Sequence, residues 1–273
     1  MTVSLAISPC PNDTFVFHAL VHGLVPGAPP VRVTYADVDV TNTAATDGTY
    51  DLVKVSYAAL PWLLDKYTLL PCGGALGRGC GPLVVVRDPA ATPNLAGRTV
   101  AVPGDRTTAY LLMRLWATGA EPAHVKIMPF PDIMPAVAAG KVDAGLVIHE
   151  ARFTYQKHGL HALADLGDWW ERETGLPIPL GAILARRGGV DPGEATEWIR
   201  ASVRQAWEDP EATQEYVLAH AQELEPAVAS QHIALYVNDF TDDLGAEGYA
   251  AVDALLGRAA AAGLTPKAPA PLR

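Results

Sequence analysis

Asp143-Ala-Gly-Leu-Val-Ile-His149-Glu150 is an apolar run that stops on a histidine and turns into a helix-like segment. The uninterrupted apolar stretch reads as a short buried strand. In open α/β sheets, ligands lie in the crevice beyond the carboxyl ends of the strands. A histidine there titrates near neutral pH and reaches a bound molecule. His149 is therefore a candidate general base. The competing reading is a core histidine bonded to a backbone carbonyl. His149-Glu150 does not begin a zinc-protease motif, because H-E-x-x-H needs a histidine where Phe153 stands.

Strands and helices alternate on both sides of this run. Strands are expected over 3–8, 31–38 and 51–56. Helices are expected from Asn12 or Asp13, as caps, to His22, and from Tyr57 to Lys66. The apolar run 81–87 precedes a proline-containing connection. A second α/β unit follows: strand 98–102, a helix opened by Thr107-Thr108, strand 125–130, a helix capped by Asp132 and strand 143–148, with the segment 160–166 beyond it. After the Pro177/Pro179 segment and 180–185 the pattern turns helical, over 193–208, 210–223, within 226–237 and over 246–262. This order suggests two lobes and two crossings, near 87–97 and 178–185. Lobe one comprises 1–88 and 183–273, and lobe two 89–182. Large pockets favour such junctions. The pattern alone does not separate a hinged cleft from one continuous doubly wound sheet.

Further candidates follow from local chemistry. In Asp51-Leu-Val-Lys54-Val-Ser56, strand alternation puts Lys54 and Ser56 on one face and Val53 and Val55 on the other. A lysine in an apolar strand needs a partner or a solvated pocket, unless it is an edge lysine facing water. Lys54 and Ser56 are thus candidates for an anionic or hydroxylated ligand. Thr107-Thr108 opens a helix after a Pro-Gly turn, where free N–H groups favour a carboxylate. Simple N-capping explains the same residues. The glycines of Gly77-Arg-Gly-Cys-Gly81-Pro82 precede a strand, whereas a dinucleotide fingerprint follows one. They fit close packing or positive φ. His18 and His22 have helical i,i+4 spacing but no evident third metal ligand. Cys10, between two prolines near a helix start, is a candidate for a lowered thiol pKa.

Composition narrows the classes. Lys+Arg is 20 and Asp+Glu is 30, a net charge of −10. That disfavours nucleic acid as a partner, while a locally positive cleft still suits an acidic small molecule. The cysteines are Cys10, Cys72 and Cys80, an odd number without C-x-x-C spacing, which argues against a disulfide framework or a zinc knuckle. The N-terminus reads as a strand and not a signal peptide, and no apolar run is long enough to insert in a membrane. A soluble cytoplasmic protein is expected.

Several segments occur in a telling order: Ser8-Pro-Cys-Pro-Asn-Asp-Thr-Phe15, Lys54-Val55-Ser56, Gly77-x-Gly-x-Gly-Pro82 and Pro103-Gly-x-x-Thr107-Thr108-Ala109. Gly145-Leu-Val-Ile-His149-Glu150, Pro177-Ile-Pro-Leu-Gly181 and Tyr236-Val-Asn-Asp239 follow. Together they resemble the 1,4-dihydroxy-6-naphthoate synthase family of the futalosine route to menaquinone. The resemblance implies a two-lobed periplasmic-binding-protein-like type II fold with a ligand cleft between the lobes. It implies a carbon–carbon lyase that converts cyclic dehypoxanthine futalosine to 1,4-dihydroxy-6-naphthoate and dihydroxyacetone. His149 matches the family's proton acceptor. Lys54, Val55, Ser56, Thr107 and Thr108 match its substrate-contacting segments. The substrate is a carboxylate, and the reaction so implied needs no metal and no redox cofactor. Two alternatives stand beside it: a non-catalytic small-anion solute-binding protein, and the sister enzyme chorismate dehydratase.

Overall fold

Two separate sheets carry the strands of the computed structural model, which describes residues 2–221, 225–269 and 272. The chain opens with β1 (Val3–Ile7), α1 (Pro11–Val21), β2 (Val31–Tyr35), α2 (Val38–Thr46) and β3 (Leu52–Ser56). A 3-10 turn over Tyr57–Trp62 leads to β4 (Tyr67–Leu69) and β5 (Ala75–Gly77). Next come β6 (Leu83–Val86), β7 (Thr99–Val102), α3 (Thr108–Trp116), β8 (His124–Ile127) and α4 (Phe130–Ala138). They are followed by β9 (Ala144–Val147), α5 (Ala151–Thr154), β10 (His161–Asp165) and α6 (Leu166–Thr174). The chain then runs through β11 (Ile178–Arg186), α7 (Pro192–Glu208), α8 (Gln214–His220), α9 (Pro226–Tyr236), α10 (Asp239–Asp242) and α11 (Gly245–Ala261).

The first sheet has the order β2-β1-β3-β11-β4, with β5 also paired to β11; the second has the order β10-β6-β9-β7-β8. β1 runs parallel to β2 and β3, and β11 returns antiparallel to β3. In the second sheet β7 is parallel to β8 and β9, whereas β6 is antiparallel to β9. Alternation sorts the side chains into layers. Val84 and Val86 of β6 face the large cluster that also holds Val53, Val55 and Leu184 of the first sheet. Leu83 and Val85 face the other way, onto Ile133 and Val137 of α4. On β1, Val3, Leu5 and Ile7 pack with α1 and α7. Both sheets are thus covered on two faces, and their shared cluster joins the two lobes.

The pairing corrects the expected boundary at residue 88. Leu83–Val86 lies in the second sheet, and Ile178 already pairs in the first. The chain changes sheet between β5 and β6 and returns between α6 and β11. The expected boundary leaves β6 in lobe one, because its partners, β9 and β10, lie far along the chain. Gly81 marks the outgoing crossing. A Cβ there would meet the Gly167 backbone nitrogen at 2.1 Å, so no side chain fits.

Three local expectations change. α1 is entered through Cys10 with Pro11 at its start, so neither Asn12 nor Asp13 is its cap. α4 is likewise entered through Pro129, and Asp132 lies in its first turn. The helix expected over 57–66 is a 3-10 turn interrupted by Pro61. Of the helix expected over 210–223, residues 211–220 are helical, and Gln222 and Glu223 lie outside the described residues. Among the described residues, no helix is long and apolar enough to cross a membrane.

Candidate active site

A cavity enclosing about 700 Å³ of atom-free space, counted to its mouth, lies between the lobes. Lobe one lines it with Ser8, Asn12 and Asp13 beyond β1 and with Lys54 and Ser56 at the end of β3. Lobe two contributes Thr107 and Thr108 at the start of α3 and His149 beyond β9; α9 adds His232 and Tyr236.

His149 is the one non-glycine residue with positive φ among the described residues, at +53°. The chain leaves β9, reverses through His149 and enters α5 after Glu150. A left-handed non-glycine residue costs roughly 1–3 kcal/mol and persists only where its surroundings hold it. Here the Phe130 ring meets the imidazole edge-to-face at 5.4 Å. Burial, the largest influence, pulls the His149 pKa down to about 4; the Asp13 carboxylate opposes this and Lys54 reinforces it. At pH 7 the ring is neutral and carries a free lone pair.

Lys54 is not an isolated cation. Its ammonium is ion-paired to Asp13, and both side chains are buried. Asp13 also accepts from the Ser8 N–H at 3.1 Å, the Ser8 hydroxyl at 2.7 Å and the Asn12 amide at 2.8 Å. A carboxylate this well satisfied pins Lys54 at the cavity wall. Gly181 lies across from Ser56 on β11, and a Cβ there would press on Lys54 Cε at 2.9 Å. Ser56 is held by Asn42 of α2, which accepts from its N–H at 2.8 Å and donates to its hydroxyl at 3.2 Å. The Ser56 hydroxyl proton is therefore left for a ligand. Val55, grouped with these two in the expected contact segment, instead packs in the core cluster and does not line the cavity.

Thr107 is the N-cap of α3. Its hydroxyl accepts from the Tyr110 N–H at 3.2 Å and donates to the Gly104 carbonyl at 2.9 Å. Thr108 donates its hydroxyl to the Leu180 carbonyl at 2.8 Å. Both hydroxyl protons are thus engaged within the protein. What α3 offers an anion is its first-turn backbone N–H groups and its dipole.

Cys10 does not meet the expectation of a lowered thiol pKa. Burial, then the Glu150 and Asp13 carboxylates, push it well above the ordinary thiol range, and the Ser8 hydroxyl offsets this only in part. The sulfur lies with a ring nitrogen of His149 and a carboxylate oxygen of Glu150, all within 4.8 Å of one another. Among the described residues this is the one group of three side chains that can serve a cation. The rings of His18 on α1 and His22 at its C-cap lie 4.5 Å apart, tilted, without joining such a group. Cys10, Cys72 and Cys80 are all free and buried.

A family model described as menaquinone biosynthesis matches residues 3–261. A 1,4-dihydroxy-6-naphthoate synthase of Streptomyces coelicolor is 63% identical over 270 residues, covering 97% of this chain and 95% of that protein.

The chain belongs to the 1,4-dihydroxy-6-naphthoate synthase family of menaquinone biosynthesis.

A second member of the family, from Thermus thermophilus, is 50% identical over 273 residues, covering 98% and 97% of the two chains. A crystal structure of protein AF1704 from Archaeoglobus fulgidus superposes with a TM-score of 0.90 at 35% identity, covering 96% of this chain and 98% of that one. An alkanesulfonate-binding protein from Xanthomonas axonopodis shares the fold alone, with a TM-score of 0.71 at 18% identity and coverage of 97% and 94%. The fold is the two-lobed periplasmic-binding-protein-like type II architecture. Membership in the synthase family makes this chain an enzyme of menaquinone biosynthesis.

The family segments converge in space as well as in order. Those containing Ser8, Lys54, Thr107 and His149 all reach the cavity. Sequence reasoning missed Asn12 and Asp13 as wall residues, because polar side chains at a helix start look like caps. It also missed Asn42 and His232. A signal was present for Asp13: an unexplained lysine on β3 requires a buried acid.

Proposed function

We propose that this chain is a 1,4-dihydroxy-6-naphthoate synthase, a carbon–carbon lyase acting on cyclic dehypoxanthine futalosine and releasing dihydroxyacetone as the second product. The observation that carries this reading is His149, held left-handed and uncharged on the cavity wall, in the same cavity as Lys54 and Ser56 of the other lobe. A strained conformation at a cavity wall is a recurrent mark of a working residue.

The roles follow from the donors available. The substrate carboxylate binds at the start of α3, where backbone N–H groups and the helix dipole favour it. The Ser56 proton donates to a substrate oxygen, and Lys54 adds positive charge beside it. His149 takes a proton from a substrate hydroxyl or carbon acid, which starts carbon–carbon cleavage. Loss of the three-carbon fragment leaves a ring that aromatises. A carboxylate bound in the cavity draws the His149 pKa back toward neutrality, where a base works best. We assign the reaction to the cytoplasm, as a step of small-molecule biosynthesis.

The test is product identification. Purified protein is incubated with cyclic dehypoxanthine futalosine and, in parallel, with chorismate, and products are read by mass spectrometry. Dihydroxynaphthoate with dihydroxyacetone supports the reading. Loss of water from chorismate assigns the sister activity instead, and tight binding without turnover of either compound assigns a binding protein.

A further inference from the structure

His232 lies on α9, 1% exposed, and lines the same cavity with its ring centroid 6.4 Å from that of His149. Its Nε2 is 2.9 Å from Asn12 Oδ1. The direction of that bond is set one step away. Asp13, ion-paired to Lys54, is a carboxylate and only accepts. The Asn12 amide nitrogen therefore donates to Asp13 Oδ1, at 2.8 Å. Reversing the amide would place oxygen against oxygen. Asn12 thus presents its carbonyl oxygen to His232, and Nε2 must carry the proton.

Burial, then the neighbouring His149 and Lys54, holds the His232 pKa well below the ordinary histidine value, so the ring is neutral. A neutral imidazole protonated on Nε2 leaves Nδ1 as a bare acceptor. That atom is buried and has no hydrogen-bond partner among the described residues. The Tyr236 ring lies against that of His232, tilted by 33° with centroids 4.5 Å apart. Buried acceptors are nearly always paired in a native structure. The groups arranged around His232 fix which nitrogen is bare, and the residue that carries it is one of those lining the ligand cavity.

We propose that His232 is a ligand-binding residue whose Nδ1 accepts a hydrogen bond from a hydroxyl of the molecule bound beside His149. Lys54, Asp13 and Asn12 act as positioning residues that fix its tautomer. The assignment rests on the function proposed above, which places a hydroxylated carboxylate in this cavity. It adds a selection rule. A hydroxyl satisfies Nδ1, whereas an acceptor-only group such as a carboxylate or ketone is repelled there.

The test uses the full-length protein with 15N-labelled histidine rings, followed by NMR during titration with 1,4-dihydroxy-6-naphthoate and with 2-naphthoate, which lacks both hydroxyls. The proposal expects a neutral Nε2-protonated His232 in the free protein. It expects the Nδ1 resonance to move with the dihydroxy compound and to stay with 2-naphthoate. His232→Phe retains a ring against Tyr236, and should weaken binding of the dihydroxy compound about 5- to 10-fold while leaving 2-naphthoate unaffected. An Nδ1-protonated or doubly protonated ring, or an Nδ1 resonance unmoved at saturation, overturns the proposal and leaves the proposed function standing. Failure of the dihydroxy compound to bind at all overturns both. The wild-type spectra decide even if the variant does not fold.

Discussion

The Thr108 hydroxyl at the start of α3 donates to the Leu180 carbonyl of β11 at 2.8 Å, a bond from one lobe to the other. The same oxygen accepts from the Ala58 N–H, at 3.2 Å. Thr108 and Leu180 both line the cavity, and Asn42 adds a third bridge, donating its amide to the Arg106 carbonyl at 3.4 Å. Together these bonds tie the two lobes to each other beside the ligand cavity.

Thr108→Val keeps the shape and removes the latch. Leu180 and Ala58 then each lose a partner, at roughly 1–3 kcal/mol for a buried group left unsatisfied. The expected result is lower stability and faster hydrogen exchange at 57–60 and 178–182. Exchange identical to wild type at both segments contradicts the latch.

Lys54→Met should destabilise the fold strongly. It leaves Asp13 charged and buried without its cation, and breaking a buried pair from one side costs about 3–5 kcal/mol. Asp13→Asn in the same chain should recover much of the loss, because no uncompensated charge remains. Urea denaturation of the single and double variants measures this. Equal stability of wild type and Lys54→Met would show that the pair carries nothing.

Stability should fall on mild acidification. Unfolded histidines bind a proton near pH 6.5, whereas folded His149 does so only at about 4 and His232 also well below its ordinary value. Between these limits the unfolded chain holds more protons, so stability decreases as pH drops and is fully retained above the unfolded pKa. Each histidine contributes a slope of about 1.4 kcal/mol per pH unit. Melting temperatures from pH 7.5 to 5 measure the effect, and His149→Asn should flatten the curve. An unchanged slope in that variant removes His149 as a source of acid sensitivity.

Much of the site is legible where the signal is local. The apolar run ending on His149, the alternation that sets Lys54 and Ser56 on one face, and the Thr107 cap each need fewer than about ten neighbouring residues to read. What escapes is long-range. His232 and Asn12 meet across 220 positions of sequence. β4 and β5 have three residues each, too few to show a period. α2 has no counterpart among the expected elements: the β-branched run expected as a strand over 31–38 ends on Val38, the first residue of the helix. The lobe of β6 is not legible in its own residues, because a strand's sheet depends on its partners, here β9 and β10.

The account stands most directly on the turnover of His149→Asn. The substitution keeps polarity and size but holds no base that titrates near neutral pH. With cyclic dehypoxanthine futalosine as substrate, kcat should fall at least about 100-fold, while binding of dihydroxynaphthoate and the folded circular-dichroism spectrum persist. Turnover near the wild-type rate in a folded variant contradicts the assignment of His149 as the base.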